Sequence, residues 1–264
     1  MKSYTLFLRD DPLRDDHRSE NFSNKIRELF STLNIPESND GDFVIAIGGD
    51  GTFIRAVTET NFNPKKIYAG VNTGTLGFLQ TMTEEELLES ITSKKRKFQK
   101  LYVPLIELFY SDGNSELHHC INELVVEGVH GKKLSFKEYV NGQFYQKVSA
   151  SAVCIAASTC GDTAFSMNAG GAIDFSERKN QLIRTLVVPI RNAMYERFLP
   201  NPIISNEVML HLESDAQVII DGQEFEKTSI EKIIVSYSKR HYIKTMEVKP
   251  YSKIDTIRKK ILGY

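Results

Sequence analysis

Five consecutive apolar residues, Phe43 to Ile47, are followed at once by the letters GGDG at residues 48–51, and this combination constrains the fold most strongly. A strand that is apolar at every position is buried on both faces, which is typical of parallel sheets covered by helices. Strands are also predicted at Tyr4 to Leu8 and at Lys66 to Val71, on either side of it along the chain. The pattern therefore predicts βαβ units in the first part of the chain.

Helical periodicity occupies the segments around these strands. The first helix is predicted by apolar residues at three- and four-residue spacing: Phe22, Ile26, Leu29, Phe30 and Leu33. A short helix is predicted from Thr52 to Thr60, directly after the glycine turn. A third helix is predicted to run to Ser93, because Thr83 and Glu86 have the spacing of a capping box.

After about residue 100 the pattern changes to short strands separated by turn signals. The strands are predicted at Val103 to Tyr110, Leu117 to Glu127, Leu134 to Val140, Phe144 to Ser149, Glu207 to Leu212, Gln217 to Ile220, Ile230 to Tyr237 and Tyr242 to Val248. A last helix is predicted from Ser252 to Leu262, and we expect its apolar face to be buried. That face consists of Ile254, Ile257, Ile261 and Leu262.

These elements predict two domains and a returning C-terminus. We expect an α/β nucleotide-binding domain with the GGDG loop over residues 1–100 and a β-rich domain over residues 101–248. We expect the C-terminal helix, residues 249–264, to pack back on the first domain.

The charge and the apolar patterning exclude several classes of protein. Lys and Arg number 33 and Asp and Glu number 34, so no global basic field draws the chain to nucleic acid. No apolar run approaches the ~20 residues that span a bilayer, and the first residues do not resemble a signal peptide. The cysteines, Cys120, Cys154 and Cys160, match neither a disulfide framework nor a zinc site. We expect a cytoplasmic protein with reduced thiols and with neither membrane nor nucleic-acid partners.

The GGDG turn carries the strongest chemical signal. Gly48, Gly49 and Gly51 let a ligand approach the backbone closely, and the N–H groups at the start of the following helix form an anion site. A phosphate fits such a site, and Asp50 would repel it unless the carboxylate handles a proton or a metal ion. A plain strand-to-helix turn capped by Asp50 would also explain these four residues when they are taken alone.

A second glycine-rich turn, Asn72 to Phe78, follows the next predicted strand. In an open α/β sheet both turns lie at the carboxyl ends of neighbouring strands, where such sheets bind ligands. A plain turn does not account for this second feature, so the pair of turns favours a nucleotide site.

At these residues the sequence resembles the NAD kinase family. Residues 42–53 are similar to its GGDG signature with the flanks, and residues 72–78 resemble its second glycine loop. Asn122-Glu123 stands where the family has an Asn-Glu pair, and residues 159–171 resemble its loop-and-helix motif. Residues 218–222 resemble a late strand that ends in Asp-Gly, so matching blocks follow in order over nearly the whole chain.

The resemblance implies a fold, a reaction and partners. The implied fold is the two-domain fold of NAD kinases and diacylglycerol kinases: an α/β domain with a parallel sheet, a β-rich domain, and the site in the crevice between them. The implied reaction transfers the γ-phosphoryl group of ATP to the 2′-hydroxyl of the adenosine ribose of NAD, which gives NADP. Mg²⁺ is implied on the donor phosphates, with no metal site built from protein side chains, and the family is commonly homo-oligomeric, as dimers or tetramers.

The resemblance also assigns roles to residues. It makes Asp50 the catalytic group, which accepts the proton of the 2′-hydroxyl. It implies that Asn122 and Glu123 bind the hydroxyls of the adenosine ribose. Without the family, a strand end with a surface acid would be the simpler interpretation of that pair, and Asp221-Gly222 would be a hairpin turn. The residues implied to bind NAD or ATP are Gly48, Gly49, Gly51, Thr52, Gly74, Phe78, Asn122, Glu123, Ser158, Asp162, Thr163, Ala164, Phe165 and Asp221.

The sequence departs from the family pattern in its second half. In the loop from Ala157 to Phe165 the family's proline is missing, Asp162 stands where a hydroxyl is expected, and Phe165 lacks a tyrosine hydroxyl, whereas residues 163–164 match. Ala152 stands where the family has an aspartate that contacts the nicotinamide half of the dinucleotide. These changes leave the phosphoryl-transfer residues in place and weaken the recognition of the nicotinamide half.

Two further functions stay open on this reasoning. A dinucleotide-binding relative with weak or no turnover would explain the altered loop, although binding alone does not require the carboxylate of Asp50 beside phosphates. A lipid kinase of the diacylglycerol or sphingosine type would share the GGDG turn and the β-rich domain. Residues 53–56, however, follow the turn as they do in NAD kinases.

Overall fold

The structure, a computed structural model, describes residues 1–9, 17–74, 77–80, 82–93, 97–176, 180–190, 200–225, 229–247 and 252–263. The chain forms two compact units. The first comprises Met1–Leu101 together with Tyr242–Tyr264, and the second comprises Tyr102–His241. The domain limits expected from the sequence, at residues 100 and 248, stay a prediction.

The strands are, in chain order, β1 (Tyr4–Leu8), β2 (Phe43–Gly48), β3 (Ile67–Asn72), β4 (Lys97–Tyr110), β5 (Ser115–His119), β6 (Glu123–Gly128), β7 (Leu134–Val140), β8 (Gln143–Ala157), β9 (Leu182–Pro189), β10 (Ile203–Ser205), β11 (Glu207–Leu212), β12 (Ala216–Ile220), β13 (Gln223–Phe225) and β14 (Ile230–Glu247). The helices are α1 (His17–Thr32), α2 (Asp50–Glu59), α3 (Glu84–Thr92), α4 (Phe165–Asn168) and α5 (Lys253–Ile257), which continues as a π-helical segment, Arg258–Leu262. Among the described residues, no helix is long and apolar enough to cross a membrane.

A parallel sheet organises the first unit. β1 pairs with β2, β2 pairs with β3, and the end of β14 pairs with β3, in each case in parallel. Every residue of β2 is buried, as its unbroken apolar run predicts. Gly48 and Asn72 pair at the carboxyl ends of β2 and β3, so the two glycine-rich turns leave the sheet side by side. The α/β part of the predicted fold is confirmed.

Helices cover this sheet with their apolar faces. α1 buries Phe22, Ile26 and Phe30, and the ring of Phe30 stacks on Tyr4 of β1 with 4.3 Å between the ring centroids. α3 begins with the expected capping box at Thr83, whose hydroxyl and backbone N–H both bond within the first turn. The stripes of apolar residues that predicted these helices are therefore the faces that build the core of the first unit.

Antiparallel strands form the second unit. Their order is β14-β11-β7-β8-β6-β12-β13, and β8 also pairs with β9. Alternate residues of these strands point into one apolar core, as Leu124, Phe136, Ile155 and Val208 do. The β-rich part of the predicted fold is confirmed.

Two strand predictions are wrong in their limits. Leu117 to Glu127 is not one strand, because residues 120–122 break it between β5 and β6. The segments 230–237 and 242–248 are not separate strands: the backbone continues as β14 through Ser238 to His241, where only the apolar alternation stops. Tyr242–Glu247, the end of this strand, lies in the first compact unit.

The C-terminal helix is less buried than expected. Ser252 caps α5 by accepting a hydrogen bond from the N–H of Asp255 at 3.2 Å. Of the apolar residues expected to share a buried face, Ile257 is buried, but Ile254, Ile261 and Leu262 are 56%, 40% and 55% exposed. The π-helical turn after Ile257 changes the residue spacing, so Ile261 and Leu262 no longer align with Ile257 as a regular helix would align them.

A fully buried ion pair ties three strands of the second unit together. Arg184 of β9 donates through Nε to Oε1 of Glu138 at 2.5 Å and through Nη2 to Oε2 at 3.1 Å, and neither side chain is exposed. Gln146 of β8 donates to the same Oε2 at 2.7 Å, and Nη1 of Arg184 donates to the carbonyl of Pro200 at 3.2 Å. The carboxylate and the guanidinium thus satisfy each other where neither reaches water.

We expect Glu138→Ala to lower the free energy of unfolding by ~3–5 kcal/mol, because it leaves the guanidinium of Arg184 buried without its partner charge. Urea unfolding followed by circular dichroism measures this loss. Glu213→Ala is the control, since Glu213 pairs with Lys137 on a half-exposed surface and should cost ~1 kcal/mol or less. Equal losses in the two variants would contradict the expectation.

Candidate functional site

The GGDG turn connects the end of β2 to the start of α2. Gly48 has no space for a side chain, since a Cβ there would lie 2.4 Å from Oγ1 of Thr52. The carbonyl of Gly48 accepts a hydrogen bond from the N–H of Thr73 at 3.1 Å, and that of Gly49 accepts one from Nε2 of Gln80 at 2.7 Å. These bonds join the GGDG turn to the second glycine-rich turn.

Unlike Gly48, Gly49 and Gly51 have open space where a side chain would lie. A Cβ at either position would meet no described atom within 4 Å. α2 begins at Asp50, and its first helical bonds run from the N–H groups of Thr52 and Phe53 to the carbonyl of Gly49, at 2.9 and 3.4 Å. The N–H groups of Asp50 and Gly51 precede these bonds, as the first donors of a helix do. Bare backbone and a positive helix end together provide a surface that accepts an anion such as a phosphate.

Asp50 holds the second glycine-rich turn in place. Its Oδ2 accepts a hydrogen bond from the N–H of Phe78 at 2.8 Å, and its Oδ1 accepts one from the N–H of Leu79 at 2.9 Å. A carboxylate oxygen accepts about two hydrogen bonds, so each oxygen keeps capacity for one more. The sequence motif did not indicate this role, which fixes the orientation of the carboxylate that the family resemblance names as catalytic.

The second turn is also closed from within. Oδ1 of Asn72 accepts a hydrogen bond from the N–H of Gly74 at 2.9 Å. Gly77 packs against the amide of Asn72, where a Cβ would lie 2.9 Å from Nδ2. The sequence motifs did not indicate Lys260 of the π-helical segment either, yet its ammonium donates to the carbonyl of Gly77. Residues 75–76 of this turn lie outside the described residues.

In the second unit, Asp221 builds the turn that carries Asn122 and Glu123. Its Oδ2 accepts a hydrogen bond from the N–H of Ile121 at 2.7 Å, and its Oδ1 accepts those of Asn122 at 2.7 Å and Glu123 at 3.2 Å. Burial raises the pKa of Asp221, and these three donors oppose the rise. Both oxygens of the carboxylate therefore hold the backbone of residues 121–123 in its turn. The expected contact of Asp221 with NAD or ATP stays a prediction.

Glu123 is a buried acid with an unused oxygen. The residue is 7% exposed, and its Oε2 has no hydrogen-bond partner among the described residues. The pKa of Glu123 is raised to about 7, chiefly by burial and also by the nearby carboxylate of Asp221, and a hydrogen bond from the N–H of Phe165 opposes the rise. A buried acceptor without a donor costs free energy, which a ligand hydroxyl bound at Oε2 would recover.

The loop from Ser158 to Phe165 packs directly on this pair. Gly161 has no space for a side chain, since a Cβ there would lie 1.9 Å from the carbonyl oxygen of Asn122. Thr163 turns the loop by donating from Oγ1 to the carbonyl of Cys160 at 3.2 Å. Ser158 lies at its start, where its N–H donates to the carbonyl of residue 181 at 2.9 Å.

The departures from the family pattern have physical explanations. Asp162 is fully buried, and its Oδ2 accepts a hydrogen bond from the N–H of Asp174 at 2.8 Å, so this acid anchors the following loop. Ala164 precedes α4, whose first residue, Phe165, is 42% exposed. Ala152 is 6% exposed in a cluster of small apolar residues that includes Cys154 of the same strand, where a carboxylate would be desolvated.

The expected site residues thus form two groups, one in each unit. The group of the first unit contains Gly48, Gly49, Asp50, Gly51, Thr52, Gly74 and Phe78. The group of the second unit contains Asn122, Glu123, Ser158, Asp162, Thr163, Ala164, Phe165 and Asp221. Within the described residues, no group of three or more His, Cys, Asp or Glu side chains is arranged to hold a metal ion.

Comparison with known proteins identifies relatives of the chain. The sequence model of the ATP-NAD kinase N-terminal domain matches residues 10–94. An NAD kinase of Lactobacillus gasseri is 32% identical over 202 residues, which cover 73% of this chain and 74% of that protein. An NAD kinase of Clostridium beijerinckii is 27% identical over 250 residues, which cover 92% of this chain and 87% of that protein.

Solved structures share the fold. Yeast NADH kinase, crystallised with NADH, is similar with a TM-score of 0.78 at 20% identity, over 100% of this chain and 89% of that one. An NAD kinase of Archaeoglobus fulgidus, solved in complex with ATP, is similar with a TM-score of 0.71 at 19% identity, over 100% of this chain and 98% of that one. At these identities the likeness concerns the fold, and it confirms the NAD kinase fold that the sequence predicts.

We expect Gly51→Ala and Gly48→Ala to act in opposite ways. Gly51→Ala places a methyl group in open space on α2, so it should raise the free energy of unfolding by up to ~1 kcal/mol and the melting temperature slightly. The same methyl group should obstruct the approach of the phosphates and weaken ATP binding about tenfold. Gly48→Ala should lower the melting temperature, because its methyl group collides with Thr52. Thermal unfolding and calorimetric titration with ATP measure both effects, and unweakened ATP binding by Gly51→Ala would contradict a phosphate site on this backbone.

Proposed function

This chain belongs to the NAD kinase family of enzymes, and we propose that it transfers the γ-phosphoryl group of ATP to the 2′-hydroxyl of the adenosine ribose of NAD, which gives NADP. The observation that carries this proposal is the carboxylate of Asp50, held by two backbone N–H groups beside open glycine backbone. A binding turn alone would not require an acid beside phosphates. An acid that receives a proton during phosphoryl transfer does require that place.

The donor phosphates are proposed to lie on the backbone of Gly49 and Gly51. Phosphoryl transfer needs little covalent help from the protein, because positioning and charge stabilisation supply most of the rate. The first N–H groups of α2 point out of a helix end that carries partial positive charge, and no side chain covers them at these glycines. Thr52 and Gly74 support this surface from the two turns.

Asp50 is proposed to take the proton of the 2′-hydroxyl. As the hydroxyl oxygen bonds to the γ-phosphorus, the bond from that phosphorus to the bridging oxygen breaks and ADP leaves. The hydroxyl proton passes to a carboxylate oxygen of Asp50, which still has a lone pair free. Because Phe78 and Leu79 fix both oxygens, the carboxylate does not have to be ordered again when the substrates bind.

The adenosine end of NAD is proposed to bind the group in the second unit. Oε2 of Glu123 would accept a hydrogen bond from a ribose hydroxyl, and the amide of Asn122 would bond to the neighbouring hydroxyl. The exposed ring of Phe165 offers a flat apolar face to adenine, next to Thr163 and Ala164. Ser158, Asp162 and Asp221 support this surface, the last two through buried carboxylates bonded to backbone N–H groups.

Magnesium is proposed to arrive with the donor nucleotide. Mg²⁺ prefers oxygen ligands and usually binds through substrate phosphates and water with one or two carboxylates. When bound, the ion would neutralise charge on the β- and γ-phosphates.

The family resemblance supports two coarser proposals. We propose a cytoplasmic location and a homo-oligomeric state, either a dimer or a tetramer. Light scattering coupled to size-exclusion chromatography measures the second directly.

A coupled assay for NADP formation from NAD, ATP and Mg²⁺ tests the proposed activity. Asp50→Asn should lower kcat ~10²–10⁴-fold, because the amide cannot accept the proton. The substitution should also lower the stability of the fold, since the amide nitrogen of the new asparagine would face a backbone N–H. The melting temperature and the Kd for NAD are therefore measured in parallel. Wild-type levels of NADP formation by Asp50→Asn would exclude the catalytic role.

The same assay separates turnover from mere binding. A binding relative without turnover remains the second candidate, favoured by the burial of Asp162 and by the apolar surroundings of Ala152. Tight NAD binding with no NADP formed from any nucleoside triphosphate or from polyphosphate would support that candidate instead.

The raised pKa of Glu123 predicts that NAD binds more tightly as the pH rises through about 7. A ribose hydroxyl donates best to the ionised carboxylate, so below this pH binding must first release a proton. Calorimetric titration with NAD from pH 5.5 to pH 8.5, in buffers of different ionisation enthalpy, measures the affinity and the proton release. Glu123→Gln should remove both, and a pH-independent affinity in the wild type would contradict the assignment.

The same carboxyl supplies an internal control in the absence of ligand. The folded chain keeps this proton up to about pH 7, whereas an unfolded chain releases it near 4.5. The folded state therefore binds more protons between these values, and stability should fall as the pH rises from 4.5 through about 7. Glu123→Gln should flatten this slope even if the proposed activity is absent.

A further inference from the structure

Lys260 connects the C-terminal segment to the second glycine-rich turn. The residue lies in the π-helical segment Arg258–Leu262, and its ammonium donates a hydrogen bond to the carbonyl of Gly77. The next two residues, Phe78 and Leu79, donate their N–H groups to Asp50. Three consecutive residues are thus held from two sides by two charged side chains.

We propose that Lys260 is a positioning residue for phosphoryl transfer: with Asp50 it forms a clamp on Gly77 to Leu79 that fixes the direction of the Asp50 carboxylate. This inference rests on the proposed function, since it assigns Lys260 a role in the step that Asp50 carries out. We call the residues Asp50, Lys260 and 77–79 the glycine-loop clamp.

The electrostatics agree with this contact. Burial lowers the pKa of Lys260, and the negative charge of Asp50 opposes that change. The opposition means that the ammonium is close enough to the carboxylate to be stabilised by it. Lys260 is therefore directed at the GGDG region and is partly buried, in contrast to most lysines.

The packing of the C-terminal segment does not by itself explain why a lysine points inward. Of its apolar side chains only Ile257 is buried, whereas Ile254, Ile261 and Leu262 are largely exposed. Holding a lysine side chain in one conformation costs conformational entropy, and burying its charge costs desolvation. The hydrogen bond to Gly77 and the charge of Asp50 are the described contacts that offset this cost.

The clamp affects the carboxylate through backbone geometry. Asp50 keeps its orientation only while the N–H groups of Phe78 and Leu79 stay opposite its two oxygens, because the side-chain torsion of an aspartate carboxylate is otherwise soft. Glycine permits many backbone conformations, so the bond at the Gly77 carbonyl removes freedom where the chain has most of it. Loss of Lys260 should therefore loosen the turn and misdirect the proton acceptor.

The test uses three variants of the full chain. Lys260→Met removes the ammonium and keeps the length of the side chain, and Lys260→Arg restores a donor and a charge. Lys259→Met is the matched control, since Lys259 is the adjacent lysine on the same segment and is exposed. Hydrogen exchange at the amides of Phe78 and Leu79 measures the clamp directly, and kcat with the KM for ATP and NAD measures its consequence.

We expect Lys260→Met to speed exchange of both amides at least about tenfold, as the loss of a charged hydrogen bond would, and to lower kcat about tenfold with little change in either KM. Lys260→Arg should restore much of both, and Lys259→Met should change neither. Unchanged amide exchange in Lys260→Met overturns the clamp, whether or not the chain is an NAD kinase. Faster exchange with unchanged kcat, in an active enzyme, overturns its role in phosphoryl transfer. Faster exchange in a chain whose wild type forms no NADP supports the clamp and rejects the proposed function.

Discussion

Two backbone N–H groups that donate to one carboxylate hold the two glycine-rich turns of the first unit together. Phe78 and Leu79 donate to the two oxygens of Asp50, and this contact ties the turn after β3 to the turn after β2. The parallel pairing of β2 with β3 brings the turns to the same edge of the sheet, but pairing alone does not fix their conformations. A carboxylate that can accept several hydrogen bonds orders two glycine-rich segments at once, and its charge remains available to a substrate.

In the second unit a carboxylate also orders a turn by accepting hydrogen bonds from backbone N–H groups. Both oxygens of Asp221 accept hydrogen bonds from the backbone of residues 121–123, three in all. Its charge lies close to Glu123, and burial together with this neighbour makes Glu123 hard to ionise. Asp221 thus orders the turn, and Glu123 keeps an oxygen without a hydrogen-bond partner among the described residues. In the first unit a single acid, Asp50, orders the backbone, and the proposed function gives the same side chain the proton of the substrate.

The sequence predicted what depends on local pattern and on motif. The apolar run of Phe43 to Ile47 predicted a buried parallel strand, and the capping box at Thr83 predicted the start of α3, because each signal is complete within a few residues. It did not predict that residues 120–122 interrupt a strand, since the cause is a carboxylate about a hundred positions away. Nor did it predict the contact of Lys260 with Gly77. A lysine near a helix end ordinarily lies in solvent, and only this hydrogen bond distinguishes Lys260 from Lys259. The buried position of Asp162 also depends on a distant contact, since its Oδ2 accepts a hydrogen bond from a backbone N–H twelve residues later. Its implied contact with a nucleotide stays a prediction.

The strand β14 has a consequence for how the chain is made. Its end pairs with β3, so the sheet of the first unit contains a strand that is synthesised only after the whole second unit. On the ribosome, where domains commonly fold as they emerge, residues 1–101 would leave the exit tunnel without this edge and without the lysine that later reaches Gly77. The first part of the chain to be translated would then be the last to finish folding, and the glycine-rich turns of a nascent chain would stay incomplete until translation is nearly over.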